Sequence, residues 1–235
     1  MPRVLTLIGL FLLCLLFFLV RSLPAAPFAR HVDGLMIAGA PLQLEQVHGR
    51  VWAGDARWRW STWRGELNWA TDWRGLLPGV RLDIAGHGIS AQGWLAATPG
   101  SAQVRDLSFT VPLSEISRNM PAGRADGTVS GHVDLLRFYR DGSAEVEGAL
   151  RYGGGRVSWA DGEATVPPLD GKLFTAHNVA WLVMTDPAET LLLDAKVEDG
   201  EAAVRVYRSW PRLLGVSQGG ADEDVVFQVA QPLGG

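Results

Sequence analysis

The sequence predicts a mainly β protein: an N-terminal transmembrane helix followed by an antiparallel β-sheet domain of meander or hairpin type, with room to curve. Three observations carry this. Apolar residues recur at every second position along much of the chain, the spacing of a strand with one buried face. Asp141-Gly142, Asp161-Gly162 and Asp199-Gly200 stand between such runs, and Asp-Gly favours the left-handed backbone of a tight hairpin turn. No long amphipathic helical pattern follows residue 22.

The first element is Val4–Val20, 17 uncharged residues interrupted only by Thr6 and Gly9. As a helix rising about 1.5 Å per residue it reaches roughly 25 Å, enough to cross a thin bilayer. The alternative is a cleaved signal peptide, whose apolar core usually runs about 7–15 residues. The following Ser22-Leu23-Pro24-Ala25-Ala26-Pro27 is crowded by prolines and offers no clean small-x-small cleavage site. Residues 1–22 are therefore read as an uncleaved membrane anchor and 23–235 as one β-rich domain. Arg3 lies on one side of the span and Arg21 and Arg30 on the other, so charge does not orient it. Pro24 and Pro27 are expected to stop the helix at the membrane boundary.

Strands are expected next at Leu35–Ile37 and Leu42–Val51. Further alternation groups Val80, Leu82 and Ile84, then Leu107, Phe109, Val111 and Leu113. Val129, Val133 and Leu135 follow around Gly131, with Val146 and Leu150 around Gly148, then Val157 and Trp159. Leu191, Leu193, Ala195 and Val197 alternate, as do Val204 and Val206. Only Leu113–Met120 and Trp210–Val216 suit a short helical turn. A weak seam near Pro121-Ala122-Gly123-Arg124 leaves two sub-sheets open.

Composition excludes several classes. A net charge of −4 on 235 residues, with 47% hydrophobic content, indicates neither a nucleic-acid binder nor a disordered acidic chain. Of 21 basic residues only Lys172 and Lys196 are lysines, which genome base composition explains as well as a need for arginine. The single cysteine, Cys14, lies in the apolar segment, so the domain has no disulfide, thiol nucleophile or cysteine metal site.

Catalytic and cofactor motifs are absent. Gly86-His87-Gly88-Ile89-Ser90-Ala91, with Asp106 further on, imitates a dinucleotide fingerprint, but Gln92-Gly93-Trp94 breaks the helix that would receive the phosphates. A glycine-rich hairpin is expected instead. His31, His48, His87, His132 and His177 are scattered, with no pair at metal-ligand spacing. No serine occupies a Gly-x-Ser-x-Gly elbow. Asp83, Asp106, Asp134, Asp141 and Glu145 have no feature marking two of them as an acid/base couple. No cofactor and no metal are expected.

Six of the ten tryptophans are Trp52, Trp58, Trp60, Trp63, Trp69 and Trp73. Trp58 and Trp60 share one strand face, with Arg57 and Arg59 on the other. Leu67 and Trp69 repeat the pattern after Gly65, so Arg57–Trp60 and Glu66–Trp69 are expected to form a hairpin with stacked rings. Core packing is the first reading. A membrane-facing belt or partner site, helped by Arg50, Arg57, Arg59, Arg64 and Arg74, is the second.

The order of these features resembles a known family. A short apolar anchor precedes Leu23-Pro24-Ala25 and Val47-His48-Gly49-Arg50-Val51-Trp52-Ala53-Gly54-Asp55-Ala56. A tryptophan-bearing strand, Leu76-Leu77-Pro78-Gly79 and glycine-spaced strands follow, and Gly153–Leu173 with Trp159 and Pro167-Pro168 fits the later region. The pattern resembles the type II secretion system protein N family (general secretion pathway protein N). The resemblance implies a bitopic, non-enzymatic inner-membrane protein with its domain in the periplasm of a Gram-negative bacterium. It would be an accessory to the export of folded proteins across the outer membrane. Its partners would be the inner membrane and other secretion-system subunits. A membrane-tethered periplasmic lipid-binding or lipid-transfer protein is the alternative, and an envelope enzyme is disfavoured by the missing motifs.

Overall fold

Strand pairing accounts for nearly all the regular structure in this computed structural model, which describes residues 21–30, 33–37, 40–117, 123–159, 162–198, 200–216 and 219–232. The run Val4–Val20 lies outside them, and among the described residues no helix is long and apolar enough to cross a membrane. Two compact units divide the chain, one within Met1–His87 and one within Gly88–Gly235. The mainly β, antiparallel fold expected from the alternation is what forms.

The first unit is a meander of β1 (Met36–Ile37), β2 (Ala40–Arg50), β3 (Ala53–Trp60), β4 (Trp63–Arg74) and β5 (Leu77–Gly86), each antiparallel to the next. Ahead of it, a single helical turn, α1 (Ala26–Ala29), follows a bridge between Pro24 and Arg50. Arg21 is helical and Leu23 is not, so the chain leaves the helix ahead of Pro24, while Pro27 sits inside the next helical turn. Proline is tolerated in a first turn because the N–H groups there have no helical partner to lose.

The β3–β4 hairpin forms, with a shorter turn and a different register from the expected one. Its turn is Ser61-Thr62, with Ser61 at φ 55°, and Trp60 pairs with Trp63. Gly65 falls within β4, opposite Trp58. The expected pairing of Arg57–Trp60 with Glu66–Trp69 left residues 61–65 as the connection; the two-residue turn instead brings Trp63, Arg64 and Gly65 into the ladder opposite Trp60, Arg59 and Trp58.

The second unit carries a larger antiparallel sheet and a small one. The larger runs in the order β6 (Ile89–Ala97), β7 (Ser101–Pro112), β9 (Thr128–Tyr139), β10 (Ala144–Tyr152), β13 (Leu169–Ala176), β14 (Val179–Thr185), β15 (Leu191–Glu198), β16 (Glu201–Tyr207) and β17 (Val225–Pro232). The smaller has β11 (Gly155–Trp159) between β12 (Gly162–Val166) and β8 (Gly123–Ala125). Two short helices complete it, α2 (Leu113–Ser117) and α3 (Ser209–Leu213), where short helical turns are expected. β5 ends at Gly86 and β6 starts at Ile89, so no helix receives a phosphate at the Gly86–Ala91 lookalike.

One face of the larger sheet holds the core in two parts. At one end Tyr152, Leu169 and Leu192 pack with Val157 and Val166 of the small sheet, Leu113 of α2, and Trp210 and Leu213 of α3. At the other, Val133, Ala144, Val146 and Ala180 pack with Leu107, Phe109, Leu136 and Leu173. Two β-bulges correct the alternation read from sequence. The β9–β10 register shifts between Glu147 and Gly148, so Leu136, not Leu135, joins Val133 in the core. The β14–β15 register shifts at Met184/Thr185 and turns Leu192 fully inward, while Leu191 and Leu193 remain half-buried. One extra residue reverses the parity of everything beyond it.

Candidate functional site

The tryptophan face belongs to the first unit. The residues Ala56, Trp58 and Trp60 of β3, with Trp63, Leu67 and Trp69 of β4, share a face with Leu42 and Leu44 of β2 and Leu82 and Ile84 of β5 through direct cross-strand pairs. Trp58 is 8% exposed and Trp60, Trp63 and Trp69 are half-buried. Arg57 and Arg59 stand exposed on the opposite face, where Arg59 binds Glu45 and Gln43 at 2.8 Å.

The rings do not form one stack. Trp60 and Trp63 meet edge to face, with centroids 5.2 Å apart and planes at 80°. The other two lie over glycines. A β-carbon at Gly65 would come within 2.8 Å of the Trp58 ring, and one at Gly54 within 2.5 Å of the Trp69 ring. Only a residue without a side chain lets an indole lie flat across the neighbouring strand, which buries apolar ring area that glycine cannot supply. Each of the three inner indoles also donates its N–H to a backbone carbonyl: Trp58 to Glu66 at 3.1 Å, Trp60 to Ala40 at 3.3 Å and Trp69 to Arg50 at 3.1 Å. A polar tip satisfied in this way makes burial of the ring favourable.

Trp52 and Trp73 differ. Trp52 sits in the β2–β3 turn, 40% exposed, and Trp73, opposite Pro78, is 64% exposed. Trp94 of β6, outside the predicted cluster, is only 1% exposed. Local tryptophan density therefore does not rank burial.

The second unit offers an apolar hollow of about 170 Å³ on the core face of its larger sheet. Leu136, Phe138, Val146, Leu173, Leu182 and Val197 line it, with Ala202 from β16. Its residues come from six strands, so no local motif announces it. On the other face, Trp181 has Lys196 and Arg205 each 5.9 Å from its ring centroid. Arg205 grips the buried Asp194 through two 2.8 Å hydrogen bonds, and Tyr207 donates its hydroxyl to the same carboxylate at 2.6 Å. Burial first, then the hydrogen bond to Asp194 and its charge, pushes the Tyr207 hydroxyl above its ordinary pKa. The hydrogen bond to Asp194 raises the Arg205 value further.

Ser108, His132 and Asp134 form a hydrogen-bonded line on exposed sheet surface, with 2.8 Å from the serine hydroxyl to Nδ1 and 3.2 Å from Nε2 to the carboxylate. Ser108 and His132 are opposite residues of the β7–β9 ladder. Backbone N–H groups committed to such a ladder cannot also stabilise an oxyanion. Among the described residues no group of three or more His, Cys, Asp or Glu could hold a metal ion. His48 lies 3.4 Å from Asp55, His87 approaches the Arg64 carbonyl at 3.1 Å, and His31 lies outside the described residues.

No curated protein and no solved structure matches the chain. The family model for type II secretion system (T2SS), protein N matches residues 40–207, from the first residue of β2 to the last of β16. That span takes in both the tryptophan face and the apolar hollow, and with it the chain belongs to the type II secretion system protein N family.

Proposed function

We propose that this secretion-system component is a non-enzymatic, single-pass inner-membrane protein whose β-rich region, residues 23–235, works in the periplasm as an interaction domain. The observation that carries the reading is the family match over residues 40–207, joined to the 17-residue apolar run Val4–Val20 ahead of it. Its neighbours would be other secretion-system subunits and the inner membrane, and no nucleic acid. Sheets bind such neighbours by strand addition or through exposed aromatic side chains, and Trp52 and Trp73 offer the latter. Deleting the gene and assaying exoproteins in the medium tests the role: normal secretion in a strain lacking any paralogue refutes it. Protease treatment of spheroplasts tests the orientation, since a protected β region would place it in the cytoplasm.

The apolar hollow supports a second reading, a site for a lipid acyl chain. Filling it with Ala202→Trp, at a half-buried lining position, would then reduce the phospholipid co-purified with the detergent-solubilised chain. Equal lipid in both proteins removes this reading.

A further inference from the structure

The last strand of the second unit, β17, stands at the edge of its sheet, and among the described residues it pairs only with β16. Its outer backbone N–H and C=O groups meet no described strand, and such an edge is a template for another strand. Proteins usually protect an edge of this length with a charge, a mid-strand proline or a bulge. Val225-Val226-Phe227-Gln228-Val229-Ala230-Gln231 contains no charge, and its bulge, at Val226 where the ladder steps from Val206–Phe227 to Tyr207–Val225, falls at the start of the strand and leaves Phe227 to Gln231 regular. Phe227 and Val229, opposite Val206 and Val204, carry the apolar face of the sheet to its rim, where they are 57% and 45% exposed.

We propose that β17 is a homotypic interface: two copies of this chain join their β17 strands antiparallel about a two-fold axis at Gln228. In that register Phe227 of each copy faces Val229 of the other on the apolar face, continuing the rows that Val204 and Val206 begin. Gln228 faces itself. The charges permit it. Asp222, Glu223 and Asp224 precede the strand, and the antiparallel arrangement sets Asp224 opposite Pro232 of the other copy, away from the second acidic cluster. A second copy satisfies the apolar rim, the bare backbone edge and the charge pattern together. β17 lies beyond residues 40–207, which the family model matches.

The test uses the full chain in detergent micelles with Cys14 replaced by serine. Self-paired residues have Cα atoms about 4.5–5.5 Å apart, inside the disulfide range, so Gln228→Cys should oxidise to a covalent dimer. Gln231→Cys, whose two copies would stand about 20 Å apart along the strands, should not. Gln228→Lys, which opposes like charges at an exposed site, should convert the uncross-linked protein to monomer without changing its far-UV circular dichroism. A monomeric parent chain, equal cross-linking at both positions, or capture of Gln228→Cys only by a different protein would each overturn the proposal. Exoprotein secretion in the Gln228→Lys strain is read separately: continued secretion with loss of the dimer leaves the secretion role standing, and loss of secretion in the gene deletion alone bears only on that role.

Discussion

Trp58→Ala separates a tryptophan face that holds the first unit together from one displayed for a partner. Trp58 is 8% exposed, its ring covers Gly65, and its N–H is bound to the Glu66 carbonyl. Replacing it returns on the order of 150 Å² of apolar surface to water, roughly 4 kcal/mol at about 25 cal/mol per Å². The lost hydrogen bond adds about 1 kcal/mol, a total near the usual cost of a buried Trp→Ala change. Trp73 is 64% exposed, so the same arithmetic gives Trp73→Ala only about a third of the area term, roughly 1 kcal/mol. Pulse proteolysis of the full chain across a urea series reads both, with cleavage within β2–β5 reporting the first unit. A Trp58→Ala chain as resistant as the parent, or a Trp73→Ala chain equally weakened, would refute the burial argument and favour a partner surface.

Four further outcomes follow from the same geometry. Gly65→Ala should destabilise strongly, because its β-carbon would come within 2.0 Å of the Ala85 carbonyl and 2.8 Å of the Trp58 ring, whereas Gly100→Ala, with nothing within 4 Å, should be close to neutral in thermal melts. Leu192→Ala should cost about 2–5 kcal/mol and Leu191→Ala clearly less, read by urea midpoint; the reverse order would mean the β15 bulge is misplaced. Asp194→Ala leaves the buried Tyr207 hydroxyl without its acceptor and should cost about 1–3 kcal/mol in chemical denaturation, mostly relieved by adding Tyr207→Phe. The raised pKa of Tyr207, from burial and then Asp194, means the folded state holds this proton more tightly than the unfolded state. Its contribution is therefore intact below pH 10 and lost as pH rises through the higher folded value, so Tyr207→Phe should flatten the alkaline fall in stability measured by denaturant titration at stepped pH.

Most strands were legible because water on one sheet face and a core on the other leave period-two spacing, as at Val80, Leu82 and Ile84. β14 escaped it because Val-Ala-Trp-Leu-Val-Met-Thr is apolar on both faces, and a continuous run has no parity. The tryptophan face was legible as a face and misread as a stack. Alternation put Trp58, Trp60 and Trp69 on one side, but whether an indole meets another ring or a glycine depends on which residue the neighbouring strand brings opposite. The apolar hollow was not legible, since its lining comes from six separate strands.

By itself the sequence determined the β class and the family through its short ordered motifs. These are local properties: each is written in a few neighbouring residues and survives without knowing what lies across the sheet. Tertiary structure alone decided the Ser61-Thr62 turn, the inward Leu136 and Leu192, the glycines beneath Trp58 and Trp69, and the uncovered edge of β17. Register is the physical reason. A one-residue shift costs the sequence pattern nothing, yet exchanges the faces of a strand, and only the summed pairing and packing of neighbours selects one register over the next.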